Sequence, residues 1–351
     1  MPTSIAGSPR FPAEWEPHAA TWLAWPHYKN DWPGKFEPIP WVYAEIIRNL
    51  ARHEQVELIV NDAVSEKRAR KVLKLANAFS DNVRFHRWPT NRVWTRDSGC
   101  TFVERAGELQ AVTWSFNAWA KYSNYQRDQK IGALMAQSAG AEATRPMQGK
   151  HRVVLEGGSI DSNGLGALLT TEECLLSKVQ QRNPPMKQDD YERVFAEYLG
   201  IRSVIWLGSG IEGDDTHGHV DDITRFVAPD TVVTVVESNP KDKNYAPLRE
   251  NVRRLRAASD QDGKALSIVE LPMPAPVYFE GRRLPASYGN FYIANGIVLC
   301  PVFNDPNDRV ALDILADLFP DREIVGIYSG DLIWGFGAMH CMTQQQPEVG
   351  S

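Results

Sequence analysis

The sequence predicts an α/β fold in which similar units repeat around a closed axis. Amphipathic helical segments alternate along the chain with short β-rich segments, as in α/β proteins. Four pairs of β-rich segments have the pattern of hairpins, and each directly follows an acidic or amide residue. These polar residues recur at intervals of roughly 50 to 70 positions, and a period of this length indicates a repeat architecture.

Six segments have helical periodicity. The last of them shows the pattern clearly, because its apolar residues recur at helical spacing and form one stripe. The stripe consists of Val310, Ala311, Ile314, Leu315 and Leu318. We predict helices over residues 41–53, 64–79, 127–139, 188–199, 247–259 and 307–319.

Short runs rich in β-branched and aromatic residues separate these helices, and we predict strands there. The predicted strands cover residues 56–60, 83–88, 101–103, 112–116, 153–155, 167–170, 204–207, 223–227, 232–236, 268–271, 291–293, 297–302 and 324–328. The Asn295-Gly296 pair between two of them is a strong hairpin pattern, because it suits a two-residue turn.

The repeat brings particular residues into equivalent positions. Hairpins follow Asp97, Glu156, Asp221 and Asn290, which are 59, 65 and 69 residues apart. A further step of 51 residues reaches Cys341. In a closed ring of repeats these positions converge at the centre, so the sequence predicts a central site of mostly reactive side chains.

Composition limits the class of protein. The 351 residues are 43% hydrophobic, enough for a large core, and we expect residues 1–351 to form one domain. The net charge of −6 gives no indication of nucleic acid or an anionic membrane as a partner. Met1–Arg10 is short and polar, and no apolar run approaches the length of a membrane-spanning helix.

The four cysteines are spread over the whole chain without paired spacing, which is typical of a reduced cytoplasmic protein. Cys100, Cys174 and Cys300 lie in apolar, strand-like segments and are predicted to be core residues. Cys341 differs, because glycines precede it in a loop-like segment. It is a candidate nucleophile if its surroundings activate the thiol. Its neighbour His340 is not assigned a role, because adjacent residues in an extended chain point to opposite sides.

Residues 212–222 concentrate acids and histidines. On an extended strand His219 and Asp221 face the same side, so the histidine can transfer protons beside a carboxylate that binds a cation. A competing hypothesis is a divalent metal site, because His217, His219 and Asp221 have H-x-H-x-D spacing.

Two further motifs contribute carboxylates. In Trp94-Thr95-Arg96-Asp97 the aspartate is a candidate partner for a cation, with Trp94 as an apolar wall. In Leu155-Glu156-Gly157-Gly158 the glutamate is a candidate for orienting a histidine.

These residues together fit hydrolysis of a guanidinium group. The planar cation matches two carboxylates, here Asp97 and Asp221. Its carbon is then open to attack by Cys341, while His219, held by Glu156, protonates the leaving ammonia and activates water. The scheme needs neither metal nor cofactor, and the implied partner is a small cationic guanidinium compound.

The motifs resemble the agmatine deiminase and porphyromonas-type peptidylarginine deiminase family, within the guanidino-modifying (pentein) superfamily. The resemblance runs from residue 11 to residue 347. It rests on Phe11-Pro12-Ala13-Glu14-Trp15-Glu16-Pro17-His18, Thr21-Trp22-Leu23-Ala24-Trp25-Pro26, Trp94-Thr95-Arg96-Asp97, Glu156-Gly157-Gly158, Gly218-His219-Val220-Asp221 and His340-Cys341-Met342-Thr343-Gln344-Gln345.

The resemblance implies a five-bladed, pseudo-symmetric α/β-propeller of ββαβ-type repeats. It implies that Cys341 is the nucleophile, His219 the general acid and base, and Glu156 the residue that orients His219. Asp97 and Asp221 would hold the guanidinium. It also implies catalysis without a metal, and a tendency to form homodimers, for which the sequence marks no interface.

One departure concerns the substrate. Agmatine deiminases typically have a run of glycines before the His-Cys pair, whereas Phe336, Ala338 and Met339 interrupt that run here. A bulkier loop is expected to reshape the mouth of the pocket. Agmatine is the first candidate substrate, and arginine, peptidylarginine and other guanidines remain alternatives.

Agmatine also carries a distal ammonium group, which requires a carboxylate. Three acids of the same loop are candidates for that contact: Glu212, Asp214 and Asp215. We assign the contact to Asp215.

Overall fold

The computed structural model describes residues 7–350. Its strands, in chain order, are β1 (His18–Ala24), β2 (Gln55–Val60), β3 (Val83–Arg87), β4 (Thr101–Arg105), β5 (Glu108–Val112), β6 (Glu142–Thr144), β7 (Met147–Gln148), β8 (His151–Arg152), β9 (Asp161–Ser162), β10 (Ala167–Thr171), β11 (Ser203–Leu207), β12 (Thr224–Ala228), β13 (Thr231–Val236), β14 (Ser267–Pro272), β15 (Tyr278–Phe279), β16 (Arg282–Arg283), β17 (Tyr292–Ala294), β18 (Ile297–Val302), β19 (Glu323–Tyr328) and β20 (Gln344–Pro347). Its helices are α1 (Ile39–Leu50), α2 (Ala63–Leu75), α3 (Thr95–Ser98), α4 (Ile131–Ser138), α5 (Glu172–Leu176), α6 (Gln188–Leu199), α7 (Tyr245–Ala257), α8 (Asn307–Leu318) and α9 (Met339–Met342).

All six predicted helices form, as α1, α2, α4, α6, α7 and α8, with ends shifted by a few residues. In α8 the buried stripe is narrower than predicted. Ala311 and Leu315 are buried, whereas Val310 is 47% exposed. Helical periodicity therefore located the element, but the neighbouring sheet covers only part of its apolar face.

Most predicted strands are present, and the exceptions have clear causes. Strand β5 ends at Val112, where the predicted strand begins, and Val154 forms only an isolated bridge with Ser115. Strands β1 and β20 were not predicted. β20 consists of three glutamines and a proline, so it lacks the apolar alternation that marks a strand.

The same unit occurs four times. An antiparallel hairpin is followed by a helix and then by a strand parallel to the second hairpin strand, as in β4–β5–α4–β6. The other three are β9–β10–α6–β11, β12–β13–α7–β14 and β17–β18–α8–β19. All four predicted hairpins therefore form, including the turn at Asn295-Gly296, where Gly296 has a φ of +66°.

A fifth sheet joins the two ends of the chain. Strand β20 pairs antiparallel with β1, placing Gln345 opposite Thr21. Helix α1 then leads to β2, which is parallel to β1 and to β3. The strand order is β20-β1-β2-β3, so the chain completes this sheet with its last strand.

A short helical turn precedes each of the four hairpins and also β20. The five turns are α3, the 3-10 turns Gly157–Ser159, Val220–Asp222 and Tyr288–Asn290, and α9. Each turn contacts the next in this order, and α9 contacts α3. The turns carry or adjoin the five residues predicted to be equivalent, so these residues share one local environment.

Apolar side chains between the sheets and their helices form the core, with the largest cluster around Trp22, Trp32 and Tyr43. Cys100, Cys174 and Cys300 are buried, as predicted for core cysteines. Within residues 7–350, no helix has the length and apolar character needed to cross a membrane.

Candidate active site

Three of the predicted site residues meet at Gly158. A methyl group at its Cα would lie 2.5 Å from Nδ1 of His219, 3.0 Å from Oδ2 of Asp221 and 3.0 Å from Oδ1 of Asp97. The backbone N–H of Gly158 donates a hydrogen bond to Oδ1 of Asp97 over 3.0 Å. The missing side chain therefore allows Gly158 to lie against residues from two other units.

His219 and Asp221 converge for a different reason from the one predicted. The segment Val220–Asp222 is a 3-10 turn and not an extended strand, so the alternation of a strand does not apply. Burial of both side chains beneath Gly158 places them on the same side.

Cys341 lies in α9 with 5% of its surface exposed. Nδ2 of Asn290 lies 3.1 Å from Sγ, and Oδ2 of Asp221 lies 3.6 Å from it. Burial raises the pKa of the Cys341 thiol well above its usual range. The negative charges of Asp221, Asp222 and Asp97 act in the same direction, so the thiol is protonated at neutral pH in the free protein.

His219 is fully buried between two carboxylates. Nδ1 lies 3.9 Å from Oδ1 of Asp97, and Nε2 lies 3.7 Å from Oε2 of Glu156. Neither ring nitrogen has a hydrogen-bond partner among the described residues. Burial lowers the pKa of His219, but the charge of Asp97 and the contacts with Cys174 and Glu156 outweigh it and raise the pKa well above its usual value.

Glu156 is held in place by Arg182, whose Nε lies 3.2 Å from one carboxylate oxygen and 3.3 Å from the other. Burial favours the neutral acid, but Arg182 and His219 together lower the pKa of Glu156 below its usual value. Glu156 is therefore ionised and fixed beside His219, the arrangement needed to orient a histidine.

Asp97 accepts a hydrogen bond from Nε1 of Trp119 at 2.8 Å. Burial raises the pKa of Asp97 to about 6, although His219 opposes the shift. A buried carboxylate of this kind gains most when a cation binds against it.

Asp221 is bound on one side by His340. Nδ1 of His340 lies 2.7 Å from Oδ2 of Asp221, and Nε2 lies 2.9 Å from Oε2 of Glu14. The other oxygen, Oδ1, has no partner among the described residues. Burial disfavours the charge, but the contact with His340 lowers the pKa of Asp221. His340 was not assigned a role because an extended chain was assumed, whereas α9 is helical.

A cavity of about 280 Å³ lies above Cys341 and Asp97. Trp94 and Trp119 line it. His219, Glu156 and Asp221 are fully buried and lie outside its lining. Cys341 and Asp97 therefore face the open cavity.

The distal part of the cavity contains both signs of charge. Of the three acidic candidates only Asp215 lines it. Oδ1 of Asp215 already accepts from Lys121 at 2.7 Å and Arg282 at 2.9 Å, and Oδ2 accepts from Tyr122 at 2.6 Å. Asp31 also lines the cavity, and burial raises its pKa to about 7.

The other two acids of that loop have structural roles. Glu212 forms an exposed ion pair with Lys243 at 2.6 Å. Asp214 accepts hydrogen bonds from the backbone N–H groups of Thr216 and Gly218, both at 2.7 Å. Neither lines the cavity.

The three residues of the metal hypothesis do not converge. His217 has a φ of +65°, and its Nε2 lies 3.1 Å from Oγ of Ser177. Among residues 7–350, two buried groups bring three potential ligands together, and neither contains His217. They are Glu156, Cys174 and His219, and Asp221, Asp222 and Cys341.

Several contacts were not predicted. Asn290 was marked by the repeat spacing but given no function, although it contacts Sγ of Cys341. Glu14 lies in the opening motif, and its link to His340 depends on packing between distant segments. Arg182, which holds Glu156, has no distinctive sequence context.

The family model for Porphyromonas-type peptidyl-arginine deiminase matches residues 10–347 of this chain. The chain belongs to this family. The agmatine deiminase of Ectopseudomonas mendocina (strain ymp) is 34% identical over 374 residues, covering 98% of this chain and 98% of that protein. This likeness confirms the resemblance inferred from the motifs.

Solved structures in this family have the same fold. The agmatine deiminase of Enterococcus faecalis superposes with a TM-score of 0.89 at 28% identity, covering 98% of this chain and 99% of that one. A cysteine-to-serine variant of C. jejuni agmatine deiminase with substrate bound has a TM-score of 0.87 at 27% identity, covering 99% and 98%. The mixed α/β fold is therefore that of the family.

Proposed function

We propose that this chain is a deiminase that hydrolyses agmatine to N-carbamoylputrescine and ammonia through a covalent thiouronium on Cys341. One observation carries the proposal. The thiol of Cys341 faces a cavity beside buried carboxylates, while Oδ1 of Asp221 and both ring nitrogens of His219 have no partner among residues 7–350. Such unpaired groups are costly unless a ligand supplies complementary donors and charge.

A guanidinium ion supplies both hydrogen-bond donors and a positive charge. Asp97 and Asp221 hold it between them through its N–H groups, in the manner of carboxylate–guanidinium pairs. Its positive charge offsets the carboxylates that keep the Cys341 thiol protonated. Substrate binding therefore favours loss of the thiol proton to solvent and formation of the thiolate.

In the first half-reaction the thiolate of Cys341 attacks the guanidinium carbon, forming the S–C bond. His219 carries a proton at neutral pH and donates it to one amino group. The C–N bond then breaks and ammonia leaves. An alkylthiouronium remains on Cys341, and His219 is neutral.

In the second half-reaction neutral His219 takes a proton from water, and the hydroxide adds to the thiouronium carbon. The S–C bond breaks, the thiolate leaves, and the hydroxyl proton is released to solvent, where ammonia becomes ammonium. Glu156, which is ionised, keeps the ring of His219 oriented and stabilises its positive charge when the ring is protonated. This chain's own residues suffice for each step, so we propose a reaction without metal or cofactor.

The relatives support agmatine as substrate. Asp215, and Asp31 beside it in the cavity lining, are the carboxylates we assign to the distal ammonium. The ammonium would share Asp215 with Lys121 and Arg282, or displace them. Oδ2 of Asp31 has no partner among the described residues and is available for the same contact.

A second candidate is a guanidine with an anionic distal group, such as arginine. Lys121 and Arg282 favour it, because both cations lie at Asp215 beside the cavity. The single negative charge of Asp215 offsets only part of the positive charge of Lys121 and Arg282. Deimination chemistry at Cys341 would be unchanged.

We further propose that residues 1–351 form one domain, a five-bladed propeller closed by β1 and β20. The cyclic contacts among the five short turns support this architecture. The partner would be a small cation that binds at the centre of the ring. A homodimer is consistent with the family resemblance.

The experiment is ammonia release from purified protein in the presence of EDTA, with agmatine, arginine and an arginyl peptide assayed in parallel at neutral pH. We expect rapid release from agmatine. Release from arginine alone would support the second candidate. No release from any guanidine, with activity restored by a divalent metal, would contradict the proposed mechanism.

A further inference from the structure

His340 lies between two buried carboxylates on opposite sides of its ring. Nδ1 is 2.7 Å from Oδ2 of Asp221, and Nε2 is 2.9 Å from Oε2 of Glu14. The side chains of His340, Glu14 and Asp221 are 3%, 5% and 0% exposed. Water therefore does not screen these contacts.

The two contacts determine how many protons the ring carries. A carboxylate oxygen can only accept a hydrogen bond, and a neutral imidazole has one donor and one acceptor nitrogen. Both contacts of His340 are hydrogen bonds to ionised carboxylates only if both nitrogens donate. The geometry therefore indicates an imidazolium between Asp221 and Glu14.

We propose that Glu14 and His340 are positioning residues that keep Asp221 ionised and oriented to hold the guanidinium of the substrate, an inference that rests on the proposed deimination. His340 occupies Oδ2 of Asp221 and leaves Oδ1 free. The free oxygen is then available to the substrate. His340 contacts Asp221 directly and Glu14 contacts His340, so both act through Asp221.

Glu14 is itself fixed by cations from two other units. Its Oε2 lies 3.1 Å from Nη2 of Arg96, and its Oε1 lies 2.8 Å from Nη2 of Arg225. Its Oε1 also accepts the backbone N–H of Ile293 at 2.9 Å. Glu14 therefore cannot turn away from His340 without breaking several buried contacts. The contacts from Glu14 through His340 to Asp221, which we call the relay, thus have a single geometry.

Other charged groups lie near Asp221 and determine how strongly the ionisation of its carboxylate depends on His340. The groups nearest to Asp221 or influencing its charge are Asp97, His219, Asp222, Arg225 and Cys341. Asp97 and Asp222 are acidic and oppose a second negative charge. The cation of His340 is the one in direct contact with the Asp221 carboxylate.

Removing this cation should affect substrate binding more than the chemical step. Asp221 holds the guanidinium in both the bound and the reacting state, and loss of such uniform binding raises KM with little change in kcat. We expect His340→Asn to raise KM for agmatine by about 10- to 100-fold, the range for hydrogen bonds to charged groups. Its amide can still donate to Asp221 but is neutral.

The pH dependence separates charge from packing. Without the imidazolium, Asp221 takes up a proton at higher pH, so the rise of KM on acidification should begin at higher pH in His340→Asn than in the wild type. A purely structural role for His340 would lower kcat or the free energy of unfolding without changing the pH at which KM begins to rise. His151→Asn is the matched control, because His151 is exposed on β8, and it should leave KM and its pH dependence unchanged.

A second measurement needs no activity. In protein labelled with ¹⁵N-histidine, NMR of the wild type should show both ring nitrogens of His340 protonated at neutral pH. The resonances are assigned by their loss in His340→Asn. If that variant does not fold, they are assigned in uniformly ¹³C,¹⁵N-labelled protein through the backbone of Met339 and Cys341. One unprotonated nitrogen in His340 would overturn the proposal.

The outcomes distinguish the relay from the proposed function. If the wild type releases no ammonia from any guanidine, deimination fails whatever the NMR shows. If the wild type is active and His340→Asn has the same KM and the same pH limb, the relay is wrong and deimination stands.

Discussion

At the scale of single residues, the free site holds both Cys341, the proposed nucleophile, and His219, the proposed acid, in protonated form. Burial and three carboxylates raise the pKa of Cys341, while neighbouring carboxylates raise the pKa of His219 above its usual value. A cysteine in this state reacts slowly with general alkylating agents. Activation then depends on the cation that binds beside it, which makes the thiol selective for guanidinium compounds.

Replacement of Cys341, the proposed nucleophile, should separate binding from turnover. We expect Cys341→Ser to lower kcat by several orders of magnitude, because a serine hydroxyl is a far weaker nucleophile here, and to retain agmatine binding by calorimetry. Cys300→Ser is the control, since this buried cysteine lies outside the cavity lining and outside the groups around His219 and Cys341, and it should keep most of the activity.

Asp97 should produce an acidic limb in the pH profile. Its pKa is raised to about 6, so the carboxylate is neutral below that pH and cannot balance the guanidinium charge. We expect kcat/KM for agmatine to fall as pH decreases through about 6. A profile that stays flat well below this pH would show that Asp97 does not hold the cation.

Phe336 should restrict the mouth of the cavity. It lines the cavity with a φ of +68°, and the guanidinium of Arg282 stacks on its ring at 3.9 Å. We expect Phe336→Gly and Phe336→Ala both to admit bulkier guanidines, measured as relative kcat/KM. Only glycine relieves the backbone strain, so the free energy of unfolding should be about 1 kcal/mol higher for Phe336→Gly than for Phe336→Ala. Equal stabilities would contradict the strain argument.

Sequence reasoning located individual residues when spacing carried the information. The interval of 51 residues from Asn290 pointed to Cys341, and its Sγ lies 3.1 Å from that asparagine. The pairing of His340 with Glu14 joins residues 326 positions apart, and no local pattern encodes it. The ion pairs of Asp215 with Lys121 and Arg282 were missed for the same reason.

At the scale of elements, the five short turns explain why the site forms where it does. Four of the turns place a polar side chain at the start of a hairpin, and the fifth places Cys341 before β20. The turns contact one another in a cycle. The hairpins were predicted from alternation and turn residues, but turns of three or four residues have no periodicity to detect. That is why His219 and Asp221 were expected on a strand.

Close approach of these turns makes Gly158 sensitive to substitution. A Cβ there would lie 2.5 Å from Nδ1 of His219, so Gly158→Ala should displace the histidine and lower kcat by about 100-fold or more. At Gly208 the nearest atom to an added Cβ is 3.4 Å away, an ordinary contact. Gly208→Ala should therefore retain wild-type kcat in the same assay, and a fully active Gly158→Ala would contradict the geometry.

At the scale of the whole molecule, the site exists because distant parts of the chain meet. Glu14 near the start reaches His340 near the end, and β20 pairs with β1 in the same region. The sequence predicted a closed repeat from the spacing of its units. It did not predict which strands close the sheet, because β20 is polar and β1 lies in a Trp-rich opening segment.

The most direct test of the account is mass spectrometry of enzyme quenched with acid during turnover of agmatine in the presence of EDTA. We predict that the peptide containing Cys341 gains the mass of agmatine less ammonia, the mass of the alkylthiouronium. Ammonia release without this adduct, or an adduct on Cys174 instead, would contradict catalysis by Cys341.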